Sequence, residues 1–238
     1  MELNKLEQSF KLNNFNTEDD VKIHFHSDII KPLLEELNPT MVSQYKSEDN
    51  LLAGGRTDAT FQNVSFELKK IKYFKNASGI EEALYGRNNK DHGLYDYIIS
   101  NSGVSNADRP DLIKSKLLNS IGVGFDGDSF IFARFVPSPT SHKINTDKLK
   151  IDIDVCLPVS FTYEIKNFSS GLKRLALLLK QQNKIALNKK NLISIINPKS
   201  EFVRKSIKTI YDELQFNLND LNGSTRVRTL YKEWDRVF

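Results

Sequence analysis

Cysteine and long apolar runs are what this sequence has least of. Cys156 is the only cysteine among 238 residues, so an internal disulfide and a cysteine-rich zinc site are both excluded. No apolar run approaches the length of a membrane span, and the first residues lack the apolar stretch of a signal peptide. We therefore expect a cytoplasmic protein that does not bind a membrane.

Histidine is also scarce, with four residues in the chain, which disfavours a phosphohydrolase built on clusters of His and Asp. His24 and His26 stand two residues apart in a helical pattern, where side chains point about 200° from each other and cannot bind one ion. Gly54-Gly55 does not belong to a Gly-x-x-x-x-Gly-Lys phosphate loop. Histidine metal sites and nucleotide loops are thus without support.

Positive charge is concentrated late in the chain. Residues 166–238 contain 15 Lys and Arg against 6 Asp and Glu, a net charge of +9, whereas the preceding 165 residues contain 19 against 24, a net charge of −5. A basic segment suits an anionic partner such as DNA. A generally Lys-rich composition would give the same balance, so both interpretations stay open.

The most informative pattern lies between Arg56 and Lys70. Residues 64–69 alternate between apolar and polar side chains, which predicts a half-buried strand on which Glu67 and Lys69 point the same way. If the two residues 62–63 form a hairpin turn, Asp58 stands directly opposite Glu67.

Two carboxylates that close repel each other unless a proton or a cation lies between them. Mg²⁺ prefers such oxygen ligands, and Lys69 would place an ammonium beside the water or phosphate that the ion holds. The group therefore indicates metal-assisted attack on a phosphodiester.

Asp58 followed by Glu67-Leu68-Lys69 resembles the Asp-x(n)-Glu-x-Lys signature of the PD-(D/E)xK nuclease superfamily, although Thr57 stands where the family name has proline. The resemblance implies a DNA endonuclease that uses Mg²⁺, with Mn²⁺ able to substitute. It implies that Asp58, Glu67 and the Leu68 carbonyl hold the metal. In that family pattern Lys69 orients or activates the attacking water and stabilises the developing negative charge.

An amphipathic helix is predicted over residues 17–37, with acids after the cap residue Thr17 and a kink at Pro32. The stretch Thr17–Lys22 resembles the opening helix of nuclease domains in type I and type IIG restriction enzymes. That resemblance implies that Glu18 lies near the catalytic carboxylates and assists through a water. The alternative is an acid that only favours the helix start.

The remaining patterns alternate between helix and strand. They predict a helix within 1–14, a turn and strand within 39–49, helices on both sides of the polar stretch 86–93, and a helix that residues 108–111 open and that runs to about Ser120. Arg87 or Lys90 in the polar stretch could contact a phosphate, the alternative being a solvated loop. Strand patterns flank a type I′ turn at Asp126-Gly127, and further strand is expected at 71–74 and 148–157.

These elements predict an α/β fold with a mixed central β-sheet flanked by helices, followed by a small helical region. The resemblance implies that this fold is restriction-endonuclease-like. We expect a nuclease domain at 1–165 and a helical connector of four short helices at 166–238.

The segment 228–238, with 124–127 and 130–134, resembles type IIG and related single-chain restriction-modification enzymes, where such a segment joins the nuclease to an adenine methyltransferase. No Asn-Pro-Pro-Tyr motif of a methyltransferase occurs. Methyltransferase and target-recognition domains are therefore expected beyond residue 238 of a longer chain.

Two functions follow from these patterns. One is the Mg²⁺-dependent nuclease module of a restriction-modification enzyme, with DNA as its substrate and a transient dimer possible on that DNA. The other is a non-catalytic DNA-binding or assembly module, which explains the basic segment without a metal.

Overall fold

Six strands form one sheet in which each strand lies beside the next one along the chain. The computed structural model describes residues 3–37, 39–48, 50, 56–88, 91–181, 203–204 and 207–210. The strands are β1 (Tyr45–Ser47), β2 (Ala59–Phe61), β3 (Val64–Leu68), β4 (Ile121–Phe125), β5 (Ser129–Lys143) and β6 (Cys156–Asn167). β3 and β4 are parallel, and the other neighbouring pairs are antiparallel.

Helices cover both faces of this sheet, which confirms the predicted α/β class with a mixed central sheet. One apolar core joins the strands to α1 (Leu3–Lys11), α2 (Glu18–His24), α3 (Lys31–Leu37) and α7 (Phe168–Gln181). The second core joins them to α4 (Ala77–Tyr85), α5 (Leu94–Asn101) and α6 (Pro110–Leu118). The longest of these helices has 14 residues, and none within the described residues is long and apolar enough to cross a membrane.

β3 is buried on both faces, so the half-buried strand predicted from its alternation is wrong. All five of its residues are buried. Val64, Phe66 and Leu68 belong to the core that contains α1 and α7. On the other face Ser65 Oγ donates a hydrogen bond to the Tyr97 carbonyl of α5 at 3.4 Å. The polar residues of the strand therefore face protein rather than solvent.

The predicted hairpin turn between β2 and β3 is confirmed. Phe61 pairs with Val64, and two steps further Ala59 pairs with Phe66. Gln62, the first loop residue, has a φ of 54°. This left-handed conformation lets a two-residue loop reverse the chain without breaking the ladder.

The hairpin between β4 and β5 is also present, but its loop lies one residue later than predicted. The N–H of Asp126 donates to the carbonyl of Ser129 at 3.2 Å, which leaves Gly127-Asp128 as the loop. Of the two loop residues, only Gly127 has a positive φ, at 79°, whereas a type I′ turn needs a positive φ at both central residues. Asp126 is buried and accepts backbone hydrogen bonds, including one from Phe74 N–H at 2.7 Å.

Two further strand predictions are wrong. Residues 71–74 form a turn and the start of a 3₁₀ helix, Tyr73–Lys75, because hydrogen bonds to Asp126 draw the chain out of the sheet. Residues 148–155 are not strand, although Ile153 packs into the second core. The strand there begins at Cys156, because β6 is the segment that pairs with β5.

The predicted helix at 17–37 is continuous but not uniform. Thr17 caps α2 in a reciprocal capping box with Asp20. A π-helical segment, Phe25–Ile30, then joins α2 to α3. Pro32 follows directly, and its ring would collide with a carbonyl one α-helical turn earlier, so the wider π turn accommodates it.

The chain divides into two compact units, Met1–Asn183 and Lys184–Phe238. α7 belongs to the first unit, because Phe168, Leu172 and Leu175 lie in its core. The predicted domain boundary, 165/166, falls before this helix. In the second unit, residues 203–204 and 207–210 are helical. The other helices predicted after 183, including the segment 228–238, lie outside the described residues.

Candidate active site

The two predicted carboxylates lie at the same end of the β2–β3 hairpin. Glu67 is in β3, and Asp58 precedes β2, one step beyond the last ladder pair, where the register sets it opposite Glu67. The Leu68 N–H donates to Asp58 Oδ2 at 2.6 Å, and Thr57 Oγ1 donates to the Phe66 carbonyl at 2.7 Å. These two bonds fix the chain before β2 against β3.

Lys69 points the same way as Glu67, as the period of the strand predicts. Its Nζ lies 2.7 Å from Glu67 Oε1. Its backbone N–H donates to the Phe125 carbonyl at 2.9 Å, which ties the residue after β3 to β4. Burial opposes the charge of Lys69, but the charge and hydrogen bond of Glu67 outweigh burial, so the pKa of Lys69 lies above its ordinary value.

Glu67 is held in surroundings that disfavour its negative charge. Its side chain is 6% exposed. Burial, and then the negative charge of Asp58, raise the pKa of Glu67 to about 8 despite the opposing effect of Lys69. Burial next to a second carboxylate therefore favours the protonated form of Glu67.

Glu18 reaches this group through Lys22, a residue that sequence reasoning missed. Lys22 Nζ lies 3.0 Å from Glu18 Oε1 and 2.9 Å from Asp58 Oδ1. Burial opposes the charge of Lys22, but its hydrogen bonds and ion pairs with Asp58 and Glu18 outweigh burial and raise the pKa of Lys22. The available signal was the spacing, because a Glu four residues before a Lys shares its helix face.

Glu18, Asp58, Glu67 and Lys69 line an open cleft of about 600 Å³. Its other lining residues are mostly polar: Arg56, Lys70, Tyr73, Glu82, Gly86, Arg87, Asp91, His92 and Tyr97. Arg87 donates two hydrogen bonds to the Glu82 carboxylate, at 3.1 and 3.2 Å, and Arg56 forms an ion pair with Glu48. Lys90, the other predicted phosphate contact, lies outside the described residues.

Tyr97 is a second residue that sequence reasoning assigned only to an apolar helix face. It is buried in α5 and lines the cleft. Burial, and then the charges of Glu67 and Asp58, raise the pKa of Tyr97. Its hydroxyl therefore stays neutral beside the carboxylates. The apolar pattern of α5 gave no sign that Tyr97 lines the cleft, because a tyrosine fits an apolar helix face as well as an aliphatic residue does.

A hard divalent ion fits this set of donors. Mg²⁺ is commonly held by one or two carboxylates together with waters and substrate oxygens. No group of three or more His, Cys, Asp and Glu in the described part of the chain has the arrangement of a metal site. The fit therefore rests on the two carboxylates, with the Leu68 carbonyl as the predicted third protein ligand. His24 instead pairs with Asp28 at 3.0 Å, and His26 stacks on Tyr45.

Comparisons of the chain with protein-family models, with curated proteins and with solved structures give no match. The function is therefore inferred from the geometry and charge of the cleft.

Proposed function

We propose that this chain is a Mg²⁺-dependent DNA endonuclease, the nuclease module of a restriction-modification enzyme. The observation that supports the proposal is the convergence of Asp58, Glu67 and Lys69 in one cleft, with Lys69 Nζ 2.7 Å from Glu67. A buried carboxylate, Glu67, and a partly exposed one, Asp58, with an amine beside them match the needs of phosphodiester hydrolysis, in which negative charge develops near a water that must lose a proton.

Each residue then has a distinct task. Asp58, Glu67 and the Leu68 carbonyl hold Mg²⁺. When bound, Mg²⁺ supplies a Lewis acid that activates water and stabilises the charge of the phosphodiester oxygens. Lys69 stays protonated because Glu67 raises its pKa, and its ammonium orients the attacking water and stabilises negative charge. Glu18 assists through a water.

The rim of the cleft suits the backbone of DNA. Arg56, Lys70 and Arg87 line the cleft around the acidic centre. Contacts from such side chains to phosphates give affinity without reading bases. Sequence recognition then belongs to methyltransferase and target-recognition domains of a longer chain, and a transient dimer on DNA would allow both strands to be cut.

Calorimetric titration with Mn²⁺ tests the proposal most directly. The wild-type chain is expected to bind Mn²⁺, and Asp58→Ala is expected to lose that binding. Asp108→Ala is a matched control, because Asp108 is also paired with a lysine, Lys116 at 2.6 Å, but does not line the cleft. Plasmid nicking in Mg²⁺ that stops on addition of a chelator would support cleavage. Equal Mn²⁺ binding by wild type and Asp58→Ala would refute the metal site.

A non-catalytic DNA-binding or assembly module is the second candidate. The net charge of +9 over residues 166–238 favours it. In such a module Lys22 and Lys69 would only neutralise the buried carboxylates. DNA binding would then persist in Asp58→Ala, and neither Mn²⁺ binding nor chelator-sensitive nicking would occur in the wild type.

A further inference from the structure

Lys22 does not line the cleft but pairs with two carboxylates that do, and its contacts differ from those of Lys69. Lys69 is paired with Glu67, whereas Lys22 lies 2.9 Å from Asp58 Oδ1 and 3.0 Å from Glu18 Oε1. One ammonium therefore links two carboxylates that come from separate elements, α2 and the residue before β2.

Both carboxylate oxygens of Asp58 already have partners. Oδ2 accepts the Leu68 N–H at 2.6 Å, and Oδ1 pairs with the Lys22 ammonium at 2.9 Å. Mg²⁺ binds carboxylate oxygens at about 2.0 to 2.1 Å. An ion on Asp58 would thus lie a few ångströms from the Lys22 ammonium. Positive charges that close repel strongly where the surroundings are partly buried, and the Asp58 side chain is 17% exposed.

We propose that Lys22 is a built-in counter-ion of Asp58 that a divalent metal must displace, so that Lys22 lowers the metal affinity of the cleft. The inference rests on the proposed metal-dependent function and assigns to that site a residue that tunes how tightly the metal is held.

The surroundings of Lys22 allow this displacement. Its side chain is 26% exposed and carries the ammonium on a flexible four-carbon stem. Glu18, which is 39% exposed and one helical turn away, remains as its partner once Asp58 is released. A lysine that merely positions Asp58 has the opposite effect, because its removal would leave the metal ligand misplaced and weaken metal binding.

Calorimetric titration of the 238-residue chain with MnCl₂, without DNA, distinguishes these roles. Lys22→Met keeps an apolar stem and removes the charge. We expect its Kd for Mn²⁺ to fall about tenfold below that of the wild type, which corresponds to about 1.4 kcal/mol. Lys31→Met is the matched control, because Lys31 lies on the same helical segment but faces Glu35 at 4.0 Å, which does not line the cleft. Its Kd should equal that of the wild type.

Thermal unfolding supplies a second readout and checks that the variant folds. Without added metal, Lys22→Met should unfold at a lower temperature than the wild type, because Asp58 and Glu18 lose their shared counter-ion. Saturating Mn²⁺ should raise its unfolding temperature by more than it raises that of the wild type.

The outcomes separate this proposal from the proposed function. Wild-type binding with unchanged or weaker binding by Lys22→Met would overturn the counter-ion role and leave the metal site intact. Binding by Lys22→Met alone would support the counter-ion role. If neither protein binds Mn²⁺, the proposed function fails and the counter-ion role fails with it.

Discussion

Glu67 is a carboxyl group whose surroundings favour the protonated form. Its pKa of about 8 lies well above the ordinary value of 4.5, because of burial first and the charge of Asp58 second. A group whose pKa is higher in the folded chain than in the unfolded chain binds more protons when folded. Its contribution to stability is therefore complete below the unfolded pKa and is lost as the pH rises through the folded pKa.

Replacement of Glu67 by Gln tests this linkage. In the presence of a chelator, ionisation of Glu67 should lower the free energy of unfolding of the wild type by on the order of 3 to 5 kcal/mol as the pH rises from about 4.5 to about 9. Glu67→Gln should have a flatter profile and exceed the wild type in stability at the alkaline end. Urea unfolding across this pH range measures the difference. Parallel profiles for the two proteins would contradict a raised pKa.

Lys69 is predicted to be essential for cleavage and dispensable for folding. Lys69→Ala should reduce the rate of plasmid nicking in Mg²⁺ by at least about 100-fold. The substitution removes the preorganised ammonium that stabilises negative charge on the reacting phosphate. Its circular dichroism spectrum should match that of the wild type. Lys116→Ala is the control, since Lys116 is likewise paired with a carboxylate, Asp108 at 2.6 Å, but does not line the cleft. A Lys69→Ala protein that cuts at the wild-type rate would remove the basis for the assigned role.

At the scale of residues, the acid pair Asp58 and Glu67 and the amine of Lys69 could be predicted from the sequence, because short-range rules position them. A two-residue turn sets Asp58, the residue before β2, opposite Glu67, and a period of two sets Lys69 beside Glu67. Lys22 obeys a local rule only toward Glu18. Its second partner, Asp58, is brought to it by the packing of α2 on the hairpin, and no short-range pattern reports that contact.

At the scale of elements, α7 shows how closely the helices are fitted to the sheet. Gly171 of α7 lies so near β5 that a Cβ there would overlap the ring of Phe130, which is fully buried. Gly171→Ala should therefore lower the free energy of unfolding by about 1 to 3 kcal/mol, although alanine favours a helix by about 1 kcal/mol. Urea unfolding gives the value.

Ser170→Ala serves as the control for this substitution. It changes the adjacent, exposed residue of the same helix and adds no atom, because alanine lacks only the serine hydroxyl. Its stability should stay within about 0.5 kcal/mol of the wild type. A Gly171→Ala protein as stable as Ser170→Ala would show that α7 does not pack on β5 as described.

Helices were predictable from their apolar period and caps, and strands less so because alternation does not reveal pairing. The segment 148–155 alternates like an edge strand, yet β5 pairs with the segment that follows it. The residues after Leu68 also have strand composition, but Asp126 binds their backbone and turns them away. Both outcomes depend on contacts with residues distant in sequence.

At the scale of the whole molecule, the first compact unit should be independently stable. A fragment of residues 1–183 is expected to unfold in one cooperative transition and to retain Mn²⁺ binding, because it contains both cores and the cleft. A fragment of residues 1–165 lacks α7 and should lose cooperative unfolding. Thermal unfolding of both fragments locates the boundary. Equal stability of the two would favour the boundary at 165/166.

The same 1–183 fragment tests where the affinity for DNA resides. Residues 184–238 contain 11 Lys and Arg against 6 Asp and Glu. Their removal should weaken non-specific DNA binding at low salt and reduce its salt dependence, because fewer counter-ions are released. Fluorescence anisotropy with a duplex at several salt concentrations gives both quantities. An unchanged salt slope would place the phosphate contacts within the first unit.

The parallel pairing of β3 and β4 governs when the cleft is completed during folding. A crossover that contains α4, α5 and α6 separates these two strands, whereas the β2–β3 hairpin closes locally. The Lys69 N–H donates to the Phe125 carbonyl, which lies beyond that crossover. A nascent chain can thus form its acid pair early but orients the lysine only after β4 has left the ribosome. In the proposed nuclease, this delay would keep incomplete chains from cutting DNA.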